Sequence, residues 1–380
     1  QARSRGLSAA TASAGKRSQP ISPTDCSNSP VDTSDSSMAG GIIATATALH
    51  VAVIVAASAA IWIGSNWLEA SAETLSGYYG LPAVVQGSVV VAVGSSFPEF
   101  ASVVVTAATG VFDMGVGALV GSAIFNVLVI PGLSGLSSER PLEASREIVY
   151  KEAQFYMIAV SALVVTFSLA VIYYPVSSDP IVGELTRPVA AIPLGLYGLY
   201  LFIQYQDVGD AARDRVRDGI NIRRQWGKLA GGLLVIGVAV ERLVGSVESL
   251  GATFGVPEFL AGITVVAAAT SLPDTLVSVR TARDGRGGTS LGNVLGSNTF
   301  DLLVAIPIGV LIVGSVEVNF STAVPMFGVL TAATVVLFAA LRTDLTLTSR
   351  ESLVLLFAYL FFVAWVVAET VGVTSSLQGI

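Results

Sequence analysis

The chain has 380 residues, of which 53% are hydrophobic and 12% charged, with a net charge of −7 and a mean hydropathy of +0.73. A soluble domain carries about 25% charged residues, so these values describe an integral membrane protein and make nucleic acid an unlikely use of the charge. One histidine, His50, excludes multi-histidine metal chemistry, and one cysteine, Cys26, excludes an internal disulfide.

Residues 1–37 are rich in Ser, Ala and Thr, have no apolar period and read as a disordered tail. Met38 stands just before the first apolar run, so translation is expected to begin there. The competing reading, a signal peptide, lacks an apolar core of its own.

From Met38 onward, apolar runs long enough to span a bilayer recur along the chain. Ten spans are predicted, at 41–64, 82–109, 115–136, 153–174, 187–205, 229–250, 257–283, 289–314, 320–341 and 351–372. The polar stretch from Gln206 to Lys228 separates five spans from five and is too short to hold a domain. The domain plan is therefore a first repeat over 38–205, a linker over 206–228 and a second repeat over 229–380.

Basic residues set the expected orientation. Loops after odd-numbered spans hold Arg140, Arg146, Lys151, Arg213, Arg215, Arg217, Arg223, Arg224, Lys228, Arg280, Arg283, Arg286, Arg342 and Arg350. Loops after even-numbered spans hold little beyond Arg187. The excess of positive charge inside puts the central loop in the cytoplasm and both mature termini outside, in a multi-pass cell-membrane protein. The acidic residues Glu139, Glu143, Glu147 and Glu152 share a mixed-charge loop and are expected on a solvated face. Glu69, Glu73 and Glu248 are expected near membrane ends.

Sliding the sequence against itself by 175 positions aligns two motif pairs without a gap. Val93-Gly-Ser-Ser-Phe-Pro-Glu99 falls on Ala268-Ala-Thr-Ser-Leu-Pro-Asp274, and Gly121-Ser-Ala-Ile-Phe-Asn126 falls on Gly296-Ser-Asn-Thr-Phe-Asp301. Five spans is an odd number, so the two copies must cross the membrane in opposite directions. The expected fold is an all-α membrane protein of ten transmembrane helices in two inverted five-helix repeats, the architecture of secondary transporters.

Each motif carries a chemical argument. Pro98 and Pro273 remove a backbone donor and free the carbonyl four residues earlier, and irregular backbone at that depth is tolerated only where it is buried in protein or lines a wet cavity. Glu99 and Asp274 follow these prolines directly. Ser122 and Asn126 are four apart, as are Ser297 and Asp301, so each pair shares a helical face. Gly117, Gly121, Gly292 and Gly296 give the small-residue spacing of close helix packing.

The resulting donors are oxygens only, which suits hard cations, and Ca²⁺ better than Mg²⁺. A carboxylate at a membrane helix centre costs at least about 2.5–3.5 kcal/mol, and neither motif contains Lys or Arg. Mobile cations are the available counter-charges: three Na⁺, or one Ca²⁺ with a proton or K⁺. A single Ser-x-Pro is as readily a kink, and a single membrane carboxylate can serve a neighbouring helix. Joint occurrence in two copies favours a site.

At these residues the sequence resembles the sodium/calcium exchanger family of cation/calcium antiporters, whose repeats read roughly G-[ST]-S-x-P-E and G-S-x-x-x-[ND]. The resemblance covers essentially everything from Met38 onward. It implies that Glu99 and Asp274 are the principal Ca²⁺ ligands and also bind Na⁺. It further implies hydroxyl ligands from Ser96, Ser271, Ser122 and Ser297, backbone carbonyls from Ala92, Ala267, Ser95 and Thr270, and flanking positions for Asn126 and Asp301. Asp274 in place of Glu, and Ala269 in place of glycine, depart from the common pattern. Asp274 together with Asp301 resembles the potassium-dependent branch.

The expected activity is Na⁺/Ca²⁺ antiport by alternating access, with inorganic cations and the lipid bilayer as partners, no organic cofactor and no protein partner. K⁺-dependent or Ca²⁺/H⁺ exchange is the alternative within transport. A passive cation channel, and an intramembrane hydrolase using Asp274 and Asp301, are rivals from other classes.

Overall fold

The computed structural model describes residues 33–80, 92–144, 146, 148–176, 179–206, 221–342, 344–371 and 373. The chain divides into two units, 1–45 and 46–380. Of the first, the described part is the start of helix α1 (Thr33–Tyr78). Helix thus begins inside the stretch expected to be disordered, whose residues 1–32 lie outside the described ones, as does Cys26.

Seven helices among the described residues are long and apolar enough to cross a membrane: Ala44–Tyr78, Phe112–Ser137, Val149–Tyr173, Ile222–Phe254, Gly287–Val313, Ala323–Arg342 and Ser349–Thr370. An eighth candidate is a pair, Glu258–Thr270 and Leu272–Arg283, bent by 45°. The second expected span is represented by α2 (Ala92–Ser95) and α3 (Phe97–Thr109), its residues 81–91 lying outside the described ones. At the fifth stands the 20-residue helix Arg187–Gln206.

The centre is α4 (Phe112–Ser137), apolar on every face and buried along nearly its whole length. A helix that is hydrophobic all round belongs in a core. Around α4 lie α5 (Ala153–Tyr173), α6 (Arg187–Gln206), α7 (Ile222–Phe254), the broken segment α8 (Glu258–Ala261), α9 (Ala267–Thr270) and α10 (Leu272–Arg283), then α11 (Gly287–Phe300) and α12 (Ile306–Val313). Helices α13 (Phe320–Arg342) and α14 (Ser349–Thr370) complete the chain. Two of the junctions wind as π-helix, Gly262–Val266 between α8 and α9 and Asp301–Ala305 between α11 and α12.

Two glycines set how closely α4 approaches the broken segment. A Cβ on Gly117 would strike the carbonyl oxygen of Phe259, and one on Gly121 the carbonyl of Ile263. From the other side, a Cβ on Gly262 would strike the carbonyl of Met114. Backbone meets backbone here, the use of small residues expected between membrane helices. Gly296, the repeat partner of Gly121, meets none of the described residues within 4 Å. Its expected counterpart contact, Ser88, lies outside them.

The all-α expectation needs correction. Among the described residues, connections at the helix ends form five short strands: β1 (Leu142–Glu143), β2 (Pro175–Val176), β3 (Asp179–Thr186), β4 (Ser315–Asn319) and β5 (Thr346–Leu347). β1 pairs antiparallel with β5 through Leu142↔Leu347, and β3 pairs with β4 from Val182↔Asn319 to Thr186↔Ser315. Backbone groups leaving a helix end need partners, and at these places strands supply them.

A second correction concerns Glu152. It accepts hydrogen bonds from Tyr200 Oη at 2.9 Å and Gln204 Nε2 at 2.7 Å, which tie the start of α5 to α6. Glu139 and Glu143 are exposed, as expected.

Overpacking typically costs about 1–3 kcal/mol, so Gly121→Ala should destabilise the purified protein by that order. Gly237→Ala, in the open middle of α7 with nothing within 4 Å of the added carbon, should be neutral or gain up to about 1 kcal/mol from helix preference. Thermal unfolding in detergent measures both, and equal effects would contradict the packing described.

Candidate cation site

The two Ser-x-Pro segments break their helices in the same way. α2 ends at Ser95, Ser96 adopts φ −85°, ψ 5°, and α3 begins with Phe97-Pro98-Glu99. α9 ends at Thr270, Ser271 adopts φ −80°, ψ 0°, and α10 begins with Leu272-Pro273-Asp274. Proline fits the first turn of a helix because its missing N–H would have no partner there. Glu99 and Asp274 therefore sit in the first turns of new helices, where the helix dipole favours negative charge.

Both carboxylates are buried, as are Asp301, Asn126, Ser95, Ser96, Ser122, Thr270, Ser271, Ser297 and Asn298. The structure thus brings the expected residues into the interior, together with Asn298, which was not among them. Glu99 Oε1 lies 3.3 Å from Ser122 Oγ and 3.2 Å from Ser271 Oγ, and those hydroxyls are 2.7 Å apart. Two hydroxyl protons serve three contacts, so at any instant one contact lacks a proton. Ser122 comes from the first copy and Ser271 from the second, so this triangle joins the two.

Across the repeat, the matching arrangement is open. Ser95 and Ser297 lie beside Asp274, and Ser96 beside Asp301. No oxygen of Asp274 or Asp301 has a hydrogen-bond partner among the described residues, nor has Glu99 Oε2. Asp274 is one methylene shorter than Glu99, and Ser297 Oγ instead donates to the Val294 carbonyl at 3.2 Å. Among the described residues, the groups acting on the three carboxylates are one another, serine hydroxyls, a backbone N–H at Glu99 and the Glu69 carboxylate beside Asp274. Even so, no three acidic, His or Cys residues among those described gather tightly enough to hold one metal ion.

The carbonyl donors differ from one another. Ala267 O already accepts from Ser271 N at 3.0 Å and from Thr270 Oγ1 at 3.2 Å, and Thr270 Oγ1 also reaches Val266 O at 3.1 Å. Ala92 opens α2, the one-turn helix before the first break.

Asn126 Nδ2 donates to Asn298 Oδ1 at 3.0 Å, while Asn126 Oδ1 is buried without a partner. Sequence reasoning missed Asn298, although an amide standing where the first copy has Ala123 was a visible departure from the repeat. It also underrated Glu69. That residue is half-buried on α1, its Cγ would be 3.9 Å from a Cβ on Gly94, and its charge reaches Asp274.

A sequence model described as sodium/calcium exchanger protein matches residues 49–206 and 225–368. The chain belongs to the sodium/calcium exchanger family. It is 25% identical over 280 residues to inner membrane protein YrbG of Escherichia coli, covering 70% of this chain and 80% of that protein. Human sodium/potassium/calcium exchanger 5 is 46% identical over a shorter stretch of 61 residues, 16% of this chain and 12% of that one. The fold is that of the sodium-calcium exchanger NCX_Mj, with a TM-score of 0.59 at 20% identity, covering 84% of this chain and 99% of that one. That family is one of cation exchangers, transporters rather than enzymes, and the apolar helices of this chain agree with a multi-pass membrane protein.

Buried carboxylates with no basic partner should destabilise the cation-free protein. A ligand at 100 times its Kd adds about 2.7 kcal/mol to stability, so saturating Ca²⁺ should raise the melting temperature of the purified exchanger. Glu99→Gln with Asp274→Asn should melt higher without cations and show little Ca²⁺ shift. A full shift in that double variant would place the cations elsewhere.

Proposed function

We propose that the chain exchanges Na⁺ for Ca²⁺ by alternating access at the buried oxygen site. The observation that carries this reading is the set of three buried carboxylates whose neighbours are hydroxyls and each other rather than Lys or Arg. A charge without a protein partner in the membrane is costly, and a mobile cation removes the cost. Three Na⁺, or one Ca²⁺ with one further monovalent cation, balance three negative charges.

In this reading Glu99 and Asp274 are the principal ligands, assisted by the hydroxyls of Ser96, Ser122, Ser271 and Ser297. Asn126 and Asp301 flank them. Backbone oxygens of Ala92, Ser95, Ala267 and Thr270 complete the shell, and Ala267 must share its carbonyl with the Thr270 hydroxyl.

The two copies form two inverted repeats within ten spans. Matching φ and ψ at Ser96 and Ser271 support this, as does the family match in two blocks, 49–206 and 225–368. Strand pairing adds a topological argument. β1 and β5 follow the third and ninth expected spans, and β3 and β4 the fourth and eighth. Loops that pair lie on one side of the membrane, which is what alternating crossings require. With basic residues concentrated after odd-numbered spans, that side is cytoplasmic for β1 and β5.

Radiolabelled Ca²⁺ uptake driven by a Na⁺ gradient in proteoliposomes tests the proposal. The wild type should accumulate Ca²⁺ and Glu99→Gln should fall to background; equal uptake by both would reject the site. Replacing the Na⁺ gradient by a pH gradient separates Ca²⁺/H⁺ exchange, and flux without any counter-ion would mark a channel.

K⁺-coupled exchange is the second reading. It is favoured by the local likeness to sodium/potassium/calcium exchanger 5 and by both Asp301 oxygens lacking partners. If Asp301 brings a third positive charge, Asp301→Asn should abolish any K⁺ stimulation and leave exchange measurable. An unchanged K⁺ response in that variant would count against it.

A further inference from the structure

Asn126 and Asn298 are fully buried and hydrogen-bonded to each other. An amide side chain has one end that attracts cations and one that repels them, and the two ends are nearly equal in size and shape. Here one backbone atom decides the matter for both residues. Asn298 Nδ2 lies 3.2 Å from the Ala123 carbonyl oxygen, which can only accept, so that end of Asn298 must be the nitrogen. Its second proton points to Tyr156 Oη at 3.5 Å. Asn298 Oδ1 consequently faces Asn126 and needs a donor, so Asn126 must turn its Nδ2 toward it. Asn126 Oδ1 is then directed away from the pair, buried and without a partner.

The repeat supplies an independent argument. Displaced by 175 positions, Asn126 falls on Asp301 and Asn298 falls on Ala123. The copy with an amide at the first position has an amide to clamp it. The copy with a carboxylate, whose two oxygens are equivalent, has alanine and no clamp.

We propose that Asn298 is a positioning residue, which through the Ala123 carbonyl fixes the Asn126 amide with its oxygen toward the transported cation. This rests on the reading of Asn126 as a cation ligand. Loss of Asn298 would let Asn126 turn its NH₂ toward the ion. A carboxylate at position 126 has no NH₂ to turn toward the ion and only an acceptor to meet in Asn298 Oδ1, so that loss would not weaken its binding.

The test measures Na⁺-driven Ca²⁺ uptake and the Ca²⁺-induced melting shift in four proteins: wild type, Asn298→Ala, Asn126→Asp and the double variant. Partners that orient a metal ligand are typically worth 10–100-fold in affinity. Asn298→Ala should therefore raise the KM for Ca²⁺ by roughly 10–100-fold in the wild-type background, with the maximal rate much less affected. In the Asn126→Asp background, where Asn298 Oδ1 meets an acceptor, the same change should raise KM by no more than about twofold or lower it, the two positions being coupled rather than additive.

A KM for Asn298→Ala within about twofold of wild type would overturn the proposal. So would an equal loss in both backgrounds, which would mark a merely structural role. If Asn298→Ala does not fold, Asn298→Leu preserves the volume while removing the donor and is judged by the same ratios. If Asn126→Asp binds Ca²⁺ but does not transport, the melting shifts supply the comparison. Glu99→Gln keeps the two readings apart: if it transports like the wild type, the site itself is wrong, whereas a dead Glu99→Gln with a wild-type-like Asn298→Ala removes only this inference.

Discussion

Glu99 and Asp274 are held inside the protein by the helix breaks that precede them, and much of the surrounding structure follows from that placement. A carboxylate in the middle of a regular membrane helix would have only its own backbone, already hydrogen-bonded, for company. Starting a new helix at Phe97 and at Leu272 changes this. Each acid gains the positive end of a helix dipole and a preceding serine whose backbone departs from the helix. Proline stabilises the new start without losing a bond that would otherwise form. What remains unbalanced is the net charge, since the dipole offers only about half an elementary charge at each helix end.

Close approach of α4 to the broken segment completes the arrangement. Gly117 and Gly121 let the backbone of α4 lie directly on Phe259 and Ile263. Ser122, the next residue, is thereby brought to 2.7 Å from Ser271 and 3.3 Å from Glu99. One turn further along α4, Asn126 reaches Asn298. Glycine spacing, read as packing in the sequence, thus also sets the distances within the candidate site.

The sequence made local features legible and left cross-helix ones hidden. The span expected at 153–174 is α5, Ala153–Tyr173, because its apolar run ends at Tyr-Pro. The breaks at Ser96 and Ser271 were visible because proline acts on its own helix. Glu152 was misread as solvated because its partners, Tyr200 and Gln204, lie some fifty residues away on α6. The five strands were missed because segments of two to eight residues at helix ends carry too little alternation to stand out. Asn298 lay within a quoted motif, yet its meaning depends on the Ala123 carbonyl of another helix, which no spacing reveals.

The two copies differ where their chemistry matters. Glu99 is long enough to meet the paired hydroxyls of Ser122 and Ser271, whereas Asp274 is one methylene shorter and leaves both oxygens open. The amide Asn126 is hydrogen-bonded to Asn298, whereas the acid Asp301 begins a π-helical turn and the repeat equivalent of Asn298 is Ala123, which has no polar side chain. Such turns are frequent at functional sites because they displace a side chain from the regular helical register. In the first copy Glu99 Oε1 and Asn126 Nδ2 are bonded to protein atoms, whereas in the second the oxygens of Asp274 and Asp301 have, among the described residues, only the nearby hydroxyls of Ser95, Ser297 and Ser96. On the proposed reading, a cation near Glu99 shares Oε1 with the hydroxyls of Ser122 and Ser271, and one near Asp274 and Asp301 meets those of Ser95, Ser297 and Ser96. A strictly symmetric pair of repeats would offer two equivalent sites. Unequal repeats give unequal sites, which is what a protein needs to hold Na⁺ and Ca²⁺ in different numbers at one place.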